Sequence, residues 1–225
     1  MFHPKRTILP ALLIALFVLP AVSYAAPACS SCGDWDLENE WCWTKCVSPI
    51  VIKLEPGPLQ LTGVEDPVLF DINADGELET LSWTDPDSPV GLLVLDRNGN
   101  GQIDDGSELF GEHTPQPASG GSPNGFAALD FYDRLEAGGD EDGWISAQDT
   151  VFPLLRIWID VNHDGVSQPY ELTSLESWQI RAISLHYVET QREDQHGNWL
   201  RWSSLVDFDR GRGLAATDVF FVLVE

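Results

Sequence analysis

Twelve residues, 160–171 (DVNHDGVSQPYE), constrain this chain more than any other stretch. Asp160, Asn162 and Asp164 stand at positions 1, 3 and 5, Gly165 at 6 and Glu171 at 12, the spacing of an EF-hand calcium loop. Short oxygen side chains on alternate residues converge only where the backbone turns sharply, which a glycine at position 6 permits. Glu171 is long enough to close the far side through both oxygens, and the carbonyl of Val166, at position 7, adds another. Ser167 takes position 8, where an apolar residue is usual. The alternative is a polar Asp/Asn/Gly turn that holds no metal.

Three further stretches repeat the pattern less completely. In 96–108 (DRNGNGQIDDGSE), Asp96, Asn98, Asn100, Gly101 and Ile103 fall at positions 1, 3, 5, 6 and 8, with Gln102 at 7. The closing acid, Glu108, arrives one residue late, an insertion a loop tolerates, and Asp104 at position 9 offers another oxygen. In 71–82 (DINADGELETLS), Asp71, Asn73, Asp75 and Gly76 fit, Glu79 falls at position 9, and Ser82 stands where a closing acid is expected. Within 133–149, Asp140, Asp142, Gly143, Ile145 and Asp149 match positions 3, 5, 6, 8 and 12, but position 1 is Gly138. Asp133 supplies the missing carboxylate if the residues between bulge outward. Ser146 with Asp149 also reads as a helix-capping pair, so Asp149 has a role without metal.

The N-terminus begins Lys5–Arg6, then an apolar run over 8–22, then Ser23-Tyr24-Ala25, the order of charged, apolar and small residues in a secretory signal peptide. Residues 1–25 are expected to be removed. The run is shorter than a bilayer requires. All four cysteines follow, in the appendage 26–47, as Cys29, Cys32, Cys42 and Cys46. Export favours two disulfides, with Cys42 and Cys46 sharing a helix face, and a zinc site is the rival. Residues 48–225 are long enough for one well-buried domain. The formal net charge of −24 disfavours nucleic acid and anionic membrane surfaces as partners. Because the acids bunch in loops instead of spreading along helix faces, cation sites account for them better than solubility does.

The expected fold is α+β. Short antiparallel β elements, over 50–54, 67–71, 91–95, 181–190, 199–206 and 219–224, flank a central EF-hand-like helix-loop-helix region. Its entering helix is read over 151–159, from Leu154, Leu155 and Trp158 at helical spacing, and its exit helix from Pro169. A short amphipathic helix is read over 125–135.

The ordered segments NGNGQIDDGSELFG, NGFAAL, DGWISAQD and WIDVNHDGVSQPYEL resemble bacterial secreted EF-hand-containing calcium-binding proteins related to the C-terminal segments of haemolysin-type (RTX-like) proteins. The resemblance runs from about residue 48 to the C-terminus. It implies Ca²⁺ at Asp96, Asn98 and Asn100, at Asp140 and Asp142, and at Asp160, Asn162, Asp164 and Glu171, and it implies no chemistry beyond that. The chain departs from it at 53–57 (KLEPG), where such proteins often carry another acidic turn, and it lacks nonapeptide glycine repeats.

The leading expectation is therefore an exported, non-enzymatic calcium-binding protein, extracellular or periplasmic, in which metal completes the fold. A calcium-dependent adhesion or docking module with a protein or polysaccharide partner is one alternative. A secreted hydrolase with structural calcium is another, but the sequence has neither a G-x-S-x-G elbow nor an H-E-x-x-H helix. His163, at a non-ligand position of its loop, is expected to face solvent.

Overall fold

The computed structural model describes residues 34–36, 41–43, 47–116 and 123–224. The expected signal peptide and Cys29, Cys32 and Cys46 lie outside the described residues. Cys42 sits on a strand, β2 (Trp41–Trp43), paired antiparallel with β1 (Asp34–Asp36), so no helix carries it.

The rest is built on strands β3 (Ile50–Lys53), β4 (Val68–Phe70), β5 (Glu79–Leu81), β6 (Val90–Val94), β7 (Trp144–Ser146), β8 (Arg156–Trp158), β9 (Leu172–Ser174), β10 (Ile180–Ser184), β11 (Val188–Glu193), β12 (Trp199–Phe208) and β13 (Arg212–Phe220). Nine of them form one sheet in the order β7-β10-β12-β13-β3-β6-β8-β9, with β11 on β12, and β4 and β5 make a separate hairpin. Every strand pairing is antiparallel.

The centre of the sheet is buried on both faces. On β3, Ile50 and Ile52 join one apolar cluster while Val51 joins the other; on β8, Ile157 and Trp158 divide in the same way. Strands covered on both sides read as unbroken apolar runs, as all five residues of β6 do. The first face packs against the one α-helix among the described residues, α1 (Gly125–Asp130), which continues as a 3-10 turn over Phe131–Asp133. The second face holds an aromatic cluster in which Trp83 lies 5.4 Å from Phe70, 5.6 Å from Trp158 and 5.2 Å from Phe221, centroid to centroid.

The structure overturns the α+β expectation: the fold is mostly β, and no helix-loop-helix surrounds 160–171. That loop joins β8 to β9, which pair with each other through Arg156↔Ser174, Ile157↔Thr173 and Trp158↔Leu172. The helical spacing over 151–159 was misleading. Leu154, assigned to the buried face, is 55% exposed, and helix is confined to a 3-10 turn over Phe152–Leu154. Adjacent Ile157 and Trp158 are both fully buried, which a strand between two covered faces provides and a one-faced helix does not. After Pro169 the chain turns directly into β9. The helix read over 125–135 exists only as α1 and its 3-10 continuation, and the strand read over 181–190 is split between β10 and β11.

Candidate metal centres

All four acidic loops share one backbone conformation. Left-handed φ occurs at position 4 (Ala74 60°, Gly99 75°, Glu141 59°, His163 56°) and again at position 6 (Gly76 89°, Gly101 86°, Gly143 83°, Gly165 71°). The position-6 glycine N–H donates to the first aspartate in each: to Asp71 at 2.9 Å, Asp96 at 2.8 Å, Asp160 at 2.9 Å and, in the irregular loop, Asp133 at 3.0 Å. Asp133 thus holds the place that Gly138 occupies by count, and the intervening residues form the insertion. The position-7 N–H, from Glu77, Gln102, Trp144 and Val166, donates to the position-5 side chain at 2.8 to 2.9 Å in each case.

The closing acids are held by N–H groups too. Glu171 accepts from Val161 at 2.9 Å and Gln168 at 3.1 Å, and from the indole of Trp158 at 3.3 Å. Glu108 accepts from Arg97 at 2.8 Å and from Asp104 at 2.9 Å, so the late acid reaches the closing position. Asp149 accepts from Ser146 at 2.6 Å and closes its own loop instead of capping an α-helix. In 71–82 the closing role falls to Glu79, which accepts from Ile72 at 3.1 Å and from the Asn73 amide at 2.7 Å. Glu79 is a site residue that counting to position 12 missed; its signal was an acid at position 9 ahead of an uncharged Ser82. Burial pushes the Glu79 carboxyl above its ordinary range, with Asp75 and Asp71 adding to the shift.

Convergence differs among the loops. Carboxylate oxygens of Asp133, Asp140 and Asp142 lie within 4.8 Å of one another, with Asp133 buried and the other two exposed. Asp149, 1% exposed, is pushed above its ordinary range by burial, and Asp133, Asp140 and Asp142 raise it further. One Oδ1 on Asp133 and one on Asp149 are buried with no hydrogen-bond partner among the described residues. Every carboxylate oxygen of Asp160, Asp164 and Glu171 accepts at least one hydrogen bond. A carboxylate oxygen has two lone pairs, so both Asp160 oxygens, Asp164 Oδ1 and Glu171 Oε1, which accept one bond each, keep one for a cation, while Asp164 Oδ2 and Glu171 Oε2 already accept two.

The loops also touch. Gly106 donates its N–H to the Asp71 carbonyl at 2.8 Å, and a Cβ on Gly165 would come within 2.4 Å of the Leu69 carbonyl oxygen. His163 does not face solvent as expected. Its side chain is 12% exposed and Nε2 lies 3.0 Å from the Asp66 carbonyl, so the loop tip packs on the segment leading to β4.

Among the described residues no helix is long and apolar enough to cross a membrane. Over 170 residues the chain is 35% identical to the iron-regulated protein FrpA of Neisseria meningitidis serogroup C, a match covering 66% of this chain and 14% of that protein. The SPM domain family matches residues 50–222, which takes in the whole nine-stranded sheet and all four loops. The chain belongs to the SPM-domain family.

Proposed function

We propose that this chain is an exported, non-enzymatic calcium-binding protein in which Ca²⁺ in the acidic loops completes and stabilises the fold. The observation that carries the reading is the pair of orphaned oxygens on Asp133 and Asp149. A buried polar atom without a partner costs about 1–3 kcal/mol, and here the two stand on Asp133, which converges with Asp140 and Asp142, and on Asp149, whose charge those three disfavour. A hard cation satisfies both deficits at once. Carboxylates, amides and the Gln102 and Val166 carbonyls are the oxygen donors that Ca²⁺ accepts six to eight at a time, whereas Mg²⁺ demands tighter octahedral geometry. Export rests on the N-terminal sequence pattern.

Calcium titration by calorimetry into chelator-stripped protein, paired with thermal melts, tests this. At a hundredfold excess over Kd, each independent occupied site stabilises the fold by about 2.7 kcal/mol. Identical melts in chelator and in millimolar calcium, with no heat of binding, would remove the proposal.

A further inference from the structure

The deviation at position 8 of the 160–171 loop has a partner in the 96–108 loop. Ser167 is 1% exposed; its Oγ accepts the N–H of Ile103 at 2.6 Å and donates to the Ile103 carbonyl at 3.4 Å. Ile103 is itself the position-8 residue of its loop, so one hydroxyl satisfies both backbone groups of the opposite residue. Each bridging residue precedes the N–H that holds its own loop's closing acid: Asp104 N–H to Glu108 Oε2 at 2.9 Å, and Gln168 N–H to Glu171 Oε2 at 3.1 Å. The two closing acids are therefore joined by a continuous path from Glu108 through Asp104, Ile103, Ser167 and Gln168 to Glu171.

Resting on the calcium reading above, we infer that Ser167 is a positioning residue that couples the two loops, so that an ion in one raises the affinity of the other. Drawing Glu108 onto an ion moves the backbone at 103–104, and the short, buried bridge passes that movement to 167–168. Coupling between sites is a free energy shared by both, so it is reciprocal.

The test is a double-mutant cycle read by NMR during calcium titration, with the amides of Gly101 and Gly165 as reporters for their own loops. Asn98→Ala with Asn100→Ala removes two ligands from 96–108 and leaves Asp96 and Glu108 in place. This pair should raise the calcium midpoint at Gly165 by about tenfold, within the usual range for coupled sites. In a Ser167→Ala background the same pair should leave the Gly165 midpoint unchanged, and Ser167→Thr, which keeps the hydroxyl, should restore the effect. If Ser167→Ala is too unstable to titrate, Ser167→Cys, a weak hydrogen-bonding group, takes its place in the cycle. A Gly165 midpoint indifferent to the 96–108 ligands overturns the coupling. An equal shift with and without the hydroxyl overturns the role of Ser167 and routes the coupling through 71–82. No response of Gly165 to calcium in the wild type overturns the calcium reading at this loop, and the coupling with it.

Discussion

The 160–171 and 133–149 loops reach one backbone conformation from unequal sequences. The first matches the calcium-loop register at five positions, and hydrogen bonds reach every carboxylate oxygen of Asp160, Asp164 and Glu171. The second lacks its first ligand by count, yet it gathers Asp133, Asp140 and Asp142 and leaves oxygens of Asp133 and Asp149 buried and unpaired. Spacing reports whether a backbone can make the turn. Unpaired buried oxygens with further acids converging beside them mark where a cation fits, and that is a property of side chains brought together from either side of an insertion. Both loops are pre-set by their own N–H groups; in the irregular one those bonds leave two buried carboxylate oxygens unpaired among acids that repel one another.

The largest effect expected from a single change lies apart from both loops and calibrates what burial alone does to a carboxylate. Asp218 is fully buried on β13, accepts the Gly125 N–H at 2.7 Å, and is pushed up by burial to about 7 from 3.8. An acid whose folded pKa is raised holds more protons in the native state, so its contribution favours folding at low pH and is lost as pH rises from about 4 through 7. A shift of about three units corresponds to about 4 kcal/mol. Asp218→Asn keeps an acceptor for Gly125 and should remove that slope, read as the difference between wild-type and variant unfolding free energies across pH. The difference should be the same in calcium and in chelator; dependence on calcium would show that Asp218 belongs with the metal sites.

Next in size is Glu171→Gln, which asks whether the regular loop is truly pre-set. An amide has one oxygen, and the Val161, Gln168 and Trp158 N–H groups approach the two oxygens of a side chain only 2% exposed. The new NH₂ must oppose at least one donor, at a cost of about 2 kcal/mol even in chelator. Denaturant unfolding in chelator checks this, and an unchanged midpoint would mean that the N–H cradle contributes nothing without the ion.

What the sequence made legible follows from the range of each interaction. The turns were readable because Gly76, Gly101, Gly143 and Gly165 each sit at a left-handed position fixed within a few residues. The strands at 50–54 and 91–95 were readable because both faces are buried and the run is apolar, broken only at Lys53 in the first. The helices around 160–171 were misread because Leu154, Leu155 and Trp158 fit a helical stripe, and only pairing with β9 and the second covered face decide for a strand. Asp133 was reachable by supposing an insertion. Glu79 was passed over because counting assumes a twelve-residue closure, whereas here the β4–β5 hairpin returns the chain by position 9. The Ser167 bridge spans 64 residues, so sequence showed only an unusual serine.

The smallest effect is the most discriminating, because its sign should depend on metal. Asp149→Asn keeps an oxygen for the Ser146 N–H, now accepted at 2.6 Å, and puts an NH₂ where the unpaired Oδ1 stood, among Asp133, Asp140 and Asp142. In chelator the change removes the charge of a buried carboxylate that Asp133, Asp140 and Asp142 disfavour, and with it an unpaired acceptor. Relieving that unmet acceptor contributes about 1 kcal/mol, so the variant should melt higher than wild type. In calcium the order should reverse, because the closing ligand has lost its charge and one oxygen while the wild type gains the full binding term. Glu171→Gln, by contrast, should be destabilising in both conditions. If Asp149→Asn instead lowers the melting temperature in chelator and leaves the calcium response intact, the buried oxygens of 133–149 are satisfied by something other than a cation. The contrast between the two loops would then reduce to the presence or absence of an insertion.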